Sequence, residues 1–203
     1  MTSLMIWHRI VLPTALTAAF VFSGCTDFGT PIDFTDPSKA IIPLRIGNQW
    51  VNQVAVYDTL GRLVQQFPDT LELKEDTLID GTRWFLVGKP KFYYASRSDG
   101  IWYRSLENPI SREYLLFKFP AWPGERWRVE DGGRRIDTEV LSTSDILTVP
   151  AGKFRCYTYR SGSGKTCVAP GIGIVYWESF WPTTTGKQWS YTSELMSYQI
   201  QAP

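Results

Sequence analysis

Two cysteines with ten residues between them, two glutamates on tryptophan-rich C-terminal strands and one glycine-rich pentapeptide are where this chain could do chemistry. Cys156 and Cys167 flank Ser161-Gly162. A two-residue loop there would set the cysteines directly opposite, and facing positions of an antiparallel pair bring Cβ atoms near bonding range. The spacing therefore predicts a disulfide, with free buried thiols as the competing reading. Thiol redox catalysis is not indicated, because nothing resembles C-x-x-C on a helix. Glu178, beside Trp177 and near Trp181, is placed as an acid or base in an aromatic cleft would be, with Glu194 as a second carboxylate. Glycoside hydrolysis needs such a pair at a set separation. The preferred reading is plainer: each carboxylate points outward from an alternating strand or pairs with a basic residue, and no catalytic residue is expected. Trp177, Glu178 and Trp181 stand instead as candidates for ligand contact. Gly162-Ser163-Gly164-Lys165-Thr166 suggests a phosphate loop, but Tyr159 stands where the first glycine belongs. A hairpin tip also offers no helix N-terminus to a phosphate.

The elements that would position these residues are strands. Aromatics make up 15% of the chain, which favours sheet over helix, and no segment keeps a helical period. From Ala40 onward, short apolar and aromatic runs alternate with Gly, Pro, Asp and Asn about every 8–12 residues, the spacing of a sandwich or barrel. Fourteen strands are expected, near 47–57, 62–66, 70–79, 82–88, 91–97, 100–105, 113–119, 126–130, 134–142, 145–149, 154–160, 165–169, 172–180 and 188–200. The fold class is all-β: one strongly curved antiparallel sheet, a half-barrel or open barrel, covering 40–203. Residues 172–181 read apolar on both faces, Ile172, Ile174 and Tyr176 on one and Val175, Trp177 and Trp181 on the other. Such a strand is covered on both sides or lines a cavity. A pattern P-x3-G-x2-W occurs at Pro43–Trp50, Pro120–Trp127 and Pro182–Trp189. In each, proline stiffens the approach, glycine supplies a left-handed turn, and tryptophan plugs the core as a strand begins. The three are expected to be equivalent corners of one sheet, with carbohydrate stacking by these tryptophans as the alternative.

The first 25 residues concern location. Arg9 is the only formal charge before an uncharged, mostly apolar run from Ile10 to Phe22, followed by Ser23-Gly24-Cys25. That order fits an export signal, and the apolar run is too short for a permanent span. The small-small-Cys ending resembles the lipobox of bacterial lipoproteins, with Phe22 where leucine is usual. The resemblance implies cleavage after Gly24 and lipidation of Cys25, giving a signal at 1–24, a tether at 25–39 and stable anchoring to a membrane. The cell envelope is the expected location, the outer membrane where the cell has one. An exported chain permits the disulfide. Removal of 1–24 takes Arg9 from the 21 basic residues and leaves 20 against 20 acidic ones. A neutral balance gives no footprint for nucleic acid. It also takes the only histidine, His8, so a Ser-His-Asp site or an imidazole zinc site is excluded. No cofactor or metal is expected.

Three segments in order, Val149-Pro150-Ala151-Gly152-Lys153-Phe154, Ala169-Pro170-Gly171-Ile172-Gly173-Ile174-Val175 and Ser193-Glu194-Leu195, resemble a family of uncharacterised bacterial lipoproteins and periplasmic proteins, a domain of unknown function. Pro43 to Trp50 is similar to how those domains begin. The resemblance spans roughly 40–200 and implies a curved antiparallel sheet, akin to the half-barrel of periplasmic lipoprotein carriers. It carries over no catalytic residue. The expectation is a lipid-anchored, non-enzymatic β-domain that binds or scaffolds, holding an apolar ligand on its concave face. The alternatives are a glycan-binding module using exposed Trp and Tyr, and a carboxylate-based glycoside hydrolase.

Overall fold

The computed structural model describes residues 40–88, 92–105, 113–182 and 188–201, without the side chains of 181–189. The signal, Cys25 and the tether lie outside the described residues. Strands β1 (Gln49–Tyr57), β2 (Leu63–Glu72), β3 (Asp76–Ile79), β4 (Thr82–Gly88), β5 (Phe92–Arg97), β6 (Gly100–Ser105) and β7 (Tyr114–Lys118) come first. They are followed by β8 (Arg126–Asp131), β9 (Arg134–Val149), β10 (Gly152–Ser161), β11 (Gly164–Ala169), β12 (Gly173–Pro182) and β13 (Gln188–Gln199). Among the described residues there is no helix. All pairings are antiparallel, as the aromatic, turn-punctuated sequence leads one to expect.

The strands divide into two sheets rather than lying in one. The large sheet has eight in the order β2-β1-β13-β12-β11-β10-β9-β8, and the small sheet has five in the order β3-β4-β5-β6-β7. The chain therefore leaves the large sheet after β2, builds the small sheet as a meander, and returns at β8. Two boundaries differ from the sequence reading. The break after β2 falls at 73–75, because Leu73 is fully buried and is held by its backbone. The segments 134–142 and 145–149 form one strand, β9, whose register against β10 shifts on either side of Thr158.

The corners explain how the chain enters the large sheet. In the first, the Asn48 amide donates to the Arg45 carbonyl (3.1 Å) and Gly47 takes φ 89°. Gly47 N–H donates to the Leu73 carbonyl (2.8 Å), and Leu73 N–H donates to that of Asn48 (2.9 Å). The second repeats this with other residues. Glu125 N–H donates to Trp122 (3.1 Å), Gly124 takes φ 87°, and Gly124 and Val140 exchange bonds of 2.7 and 2.9 Å through Val140 and Glu125 carbonyls. A positive φ at the third turn position is what a type II turn requires, and glycine meets it without a Cβ clash. Leu73 and Val140, the two docking residues, are both wholly buried. Trp50 then donates its indole N–H to the Ile172 carbonyl (2.6 Å), and Trp127 donates to that of Leu115 (2.9 Å). The third corner lies largely outside the described residues. Trp50 is buried and Trp127 half-buried against Tyr159, so both pack rather than stand free.

One hydrophobic core lies between the sheets, with Trp50, Leu73, Val87, Phe117, Tyr159 and Leu195 among its members. A smaller cluster of Trp84, Tyr93 and Ala95 covers the other face of the small sheet. Arg97 closes that cluster, its guanidinium 4.3 Å from the Trp102 ring centre and 5.4 Å from that of Trp84. Cations over indole faces at this range attract the ring quadrupole, so the arginine shields the cluster while staying wet at its tip.

Candidate functional site

The inner face of the large sheet does not close fully on the small sheet. A cavity of about 490 Å³ remains between them. Its floor can be followed strand by strand. Ser193 on β13 faces Trp177 on β12, which faces Thr166 on β11, which faces Tyr159 on β10, which faces Val140 on β9. A neighbouring row holds Tyr191 opposite Ser179, and Gly164 opposite Ser161, which faces Thr138. Side chains alternate across a strand, so both rows share the inner face. Five hydroxyls, on Thr138, Ser161, Thr166, Ser179 and Ser193, therefore sit on five adjacent strands. Those of Thr138 and Ser161 lie 3.1 Å apart and hydrogen-bond each other.

The cavity changes character along the strands. Toward the first corner it is lined by Ile42, Leu44, Trp50, Leu71, Leu73 and Ile174. Ile174 joins this wall because the register of β11 against β12 shifts between Cys167 and Val168, which departs from the simple alternation read in the sequence. Asn52 and Asp69, paired across β1 and β2, supply the polar groups on that side.

The small sheet forms the roof with rings. Phe92, Tyr103 and Tyr114 follow one another as near-parallel stacks, with centroids 5.9 Å and then 4.8 Å apart, and Tyr94 tilts against them. Burial pushes the phenol pKa values of Tyr94, Tyr103 and Tyr114 upward, and the Asp131 charge adds to this at Tyr103 and Tyr114. Burial also raises Tyr191, on the floor, with help from the Asp69 charge. The phenols are thus neutral donors and acceptors. Among the described residues lining the cavity there is no Lys, Arg or His, and Asp69 is the one carboxylate.

The residues singled out from sequence fall on both faces of the large sheet. Trp177 lines the cavity, its ring edge-on to Tyr191 with centroids 4.9 Å apart. Glu178 faces the other way. It accepts a 2.7 Å hydrogen bond from the Tyr176 hydroxyl and lies 3.9 Å from the Lys165 ammonium. Tyr176 is paired across the strands with Glu194, which is exposed. Both carboxylates thus belong to the outer face, with a tyrosine between them and away from Trp177. Trp181 has its backbone in β12 opposite Trp189, and its side chain lies outside the described residues. The pentapeptide at 162–166 forms the β10–β11 hairpin tip and the start of β11, with no helix beside it.

The predicted disulfide is corrected. Cys156 and Cys167 are free and buried. The hairpin loop is Gly162-Ser163, closed by Ser161 opposite Gly164, so Thr158 faces Cys167. Gly162 rather than Ser161 takes the positive φ (57°) at the first loop position, and this moves the register by one residue on each strand. Cys156 then sits diagonally from Cys167, at a spacing of about 7–8 Å that exceeds disulfide reach. The Thr158 hydroxyl, 3.7 Å from the Cys167 sulfur, occupies the intervening place and donates to Asp145 at 2.5 Å. Burial pushes the Cys156 thiol up to about 12, so it is not poised as a nucleophile. Among the described residues, no group of three or more His, Cys, Asp or Glu is placed to hold a metal ion.

Tyr94, Tyr103, Tyr114, Asn52 and the hydroxyl rows were not legible as a site beforehand. A signal existed in β12 and β13, where Trp177-x-Ser179 and Tyr191-x-Ser193 put an aromatic and a hydroxyl on the same face. The roof carried none, because nothing local says that β5 to β7 cross over β9 to β13.

No known protein family matches the chain, and no curated protein matches it. Solved structures resemble it at low identity. One, from Bacteroides fragilis and described as an exported protein with a YmcC-like fold, is 16% identical with a TM-score of 0.41, over 80% of this chain and all of that one. Another, from Parabacteroides distasonis and described as a lipoprotein, is 15% identical with a TM-score of 0.37, over 79% of this chain and 99% of that one.

Proposed function

We propose that this chain is a non-catalytic binding domain, anchored at the cell envelope through lipid on Cys25, which holds an apolar ligand between its two sheets. The cavity of about 490 Å³ is the observation that carries this reading. It falls within the range of small-molecule sites, and its walls are mainly aliphatic and aromatic with a few convergent polar groups, the usual composition of such sites. The anchoring half rests on the sequence, where an apolar run ends in Ser23-Gly24-Cys25. The non-catalytic part rests on the placement of Glu178 and Glu194 outside the cavity and on the absence of histidine after residue 8.

N-phenyl-1-naphthylamine, a dye that brightens in apolar surroundings, tests the cavity on a chain of residues 26–203 made without lipid. Saturable uptake of one dye per chain is expected, and Thr166→Trp, which sends an indole into the cavity, should weaken it at least tenfold. Uptake that is absent, or unchanged in Thr166→Trp, contradicts the proposal. A glycan reading keeps one observation in its favour, the stacked run of Phe92, Tyr103 and Tyr114. Those rings are roofed into the cavity beside aliphatic walls rather than set out on a solvent face, which favours the apolar ligand.

A further inference from the structure

The cavity is asymmetric in a way that narrows its ligand. Its inner end is aliphatic and deep: Leu73, Val87 and Trp50 are all buried, and Leu44, Leu71 and Ile174 complete that wall. At the other end Ser161 is exposed and Thr166, Ser179 and Ser193 are half-buried, so most of the hydroxyls lie nearer solvent than the aliphatic end does. With that of Thr138 they run across the floor. Among the described residues that line the cavity none is cationic, and the one charged side chain, Asp69, is negative.

Resting on the reading that the cavity holds an apolar ligand, we infer that the ligand is an amphiphile with one apolar tail and an uncharged, hydroxyl-bearing head, seated tail inward with its head on the Thr138–Ser193 hydroxyls. A tail gains by leaving water for the aliphatic end. A head with hydroxyls both donates and accepts, which matches serine and threonine hydroxyls that do the same. A carboxylate or phosphate head would meet no cation among the described lining residues, so it would be desolvated without compensation. An ammonium head finds one carboxylate among the described lining residues, Asp69, but it lies on β2, with β1 between it and the hydroxyl-bearing strands β13 to β9. The tyrosine roof suits the same head, since neutral phenols above the floor add donors and no charge. The arrangement reads as a site for a fatty-acyl ester of a small polyol.

Photo-crosslinking on the full lipidated chain in phosphatidylcholine nanodiscs tests the head assignment. The probes carry the same ten-carbon diazirine tail and differ only in the head: a glycerol ester, a free carboxylate, a phosphate or a trimethylammonium. Labelled peptides are mapped by mass spectrometry. The glycerol ester should label cavity strands at least tenfold more than any charged probe. The double variant Thr166→Val, Ser193→Ala should lower that labelling at least fivefold, while labelling by a probe with the bare hydrocarbon tail stays the same. Equal or stronger labelling by a charged probe overturns the head assignment and leaves the apolar cavity standing. A double variant that labels like the parent overturns the role of the hydroxyls. Failure of every probe, the bare hydrocarbon included, to label the cavity strands overturns the binding reading itself and this inference with it.

Discussion

Cys156 and Cys167 show how one residue of register decides chemistry. Both were visible in the sequence as a pair, and both are buried on neighbouring strands. What the sequence did not reveal is which of three consecutive residues, Ser161, Gly162 and Ser163, would open the loop. Gly162 opens it, Thr158 comes to face Cys167, and the thiols stay apart. The same burial makes the protein sensitive to alkali. Desolvation raises Cys156 to about 12 and also raises Cys167, Tyr94, Tyr114 and Tyr159. Their ordinary values are 9.0 for a thiol and 10.0 for a phenol. A group whose folded pKa lies above its unfolded one binds its proton more tightly when folded. Its stabilisation is complete below the unfolded value and is lost as pH rises through the folded value. The urea midpoint should therefore hold up to about pH 9 and fall steadily above it. A midpoint that is flat from pH 9 to 11, followed by circular dichroism, would contradict the burial described.

At the scale of elements, the corner repeat was the most legible part of the chain. P-x3-G-x2-W predicted a turn with a left-handed glycine and a tryptophan that packs, and two of its three copies are seen to share the same pattern of three backbone hydrogen bonds. Each copy precedes a strand of the large sheet, β1, β8 or β13, and the first two mark where the chain enters that sheet. The docking partners, Leu73 and Val140, could not be read, because they lie 26 and 16 residues downstream of the glycines and belong to no local pattern. Gly124 allows a clean test. A Cβ there would meet no atom within 4 Å, so alanine should be disfavoured by its backbone conformation alone. Gly124→Ala should cost about 1–2 kcal/mol, lowering Tm by several degrees in thermal unfolding. No change in Tm would mean that this corner does not hold the left-handed turn.

At the scale of the molecule, fourteen expected strands became thirteen because 134–142 and 145–149 are one, while antiparallel pairing and open architecture followed from short aromatic runs separated by turn residues. The division into two sheets did not, since it depends on where the meander from β3 to β7 folds back rather than on any one strand. The cavity depends on that division. Its floor is one set of hydroxyls and aromatics and its roof is another, and the two sets are brought together only by the return of the chain at Pro120–Trp127. This is also why Trp177 could be named early while Tyr94, Tyr103 and Tyr114 could not. The outer face tells the complementary story: Glu178 takes a hydrogen bond from Tyr176 and faces Lys165, an ordinary alternating strand surface of the kind the sequence favoured.

Native mass spectrometry of the full chain, taken from its own membranes and stripped of detergent in the gas phase, tests the central claim most directly. The account predicts one amphiphile-sized, non-covalent adduct per chain in the parent protein, and bare chain in Thr166→Trp with unchanged circular dichroism. Bare chain in both, or the same adduct on both, would contradict it.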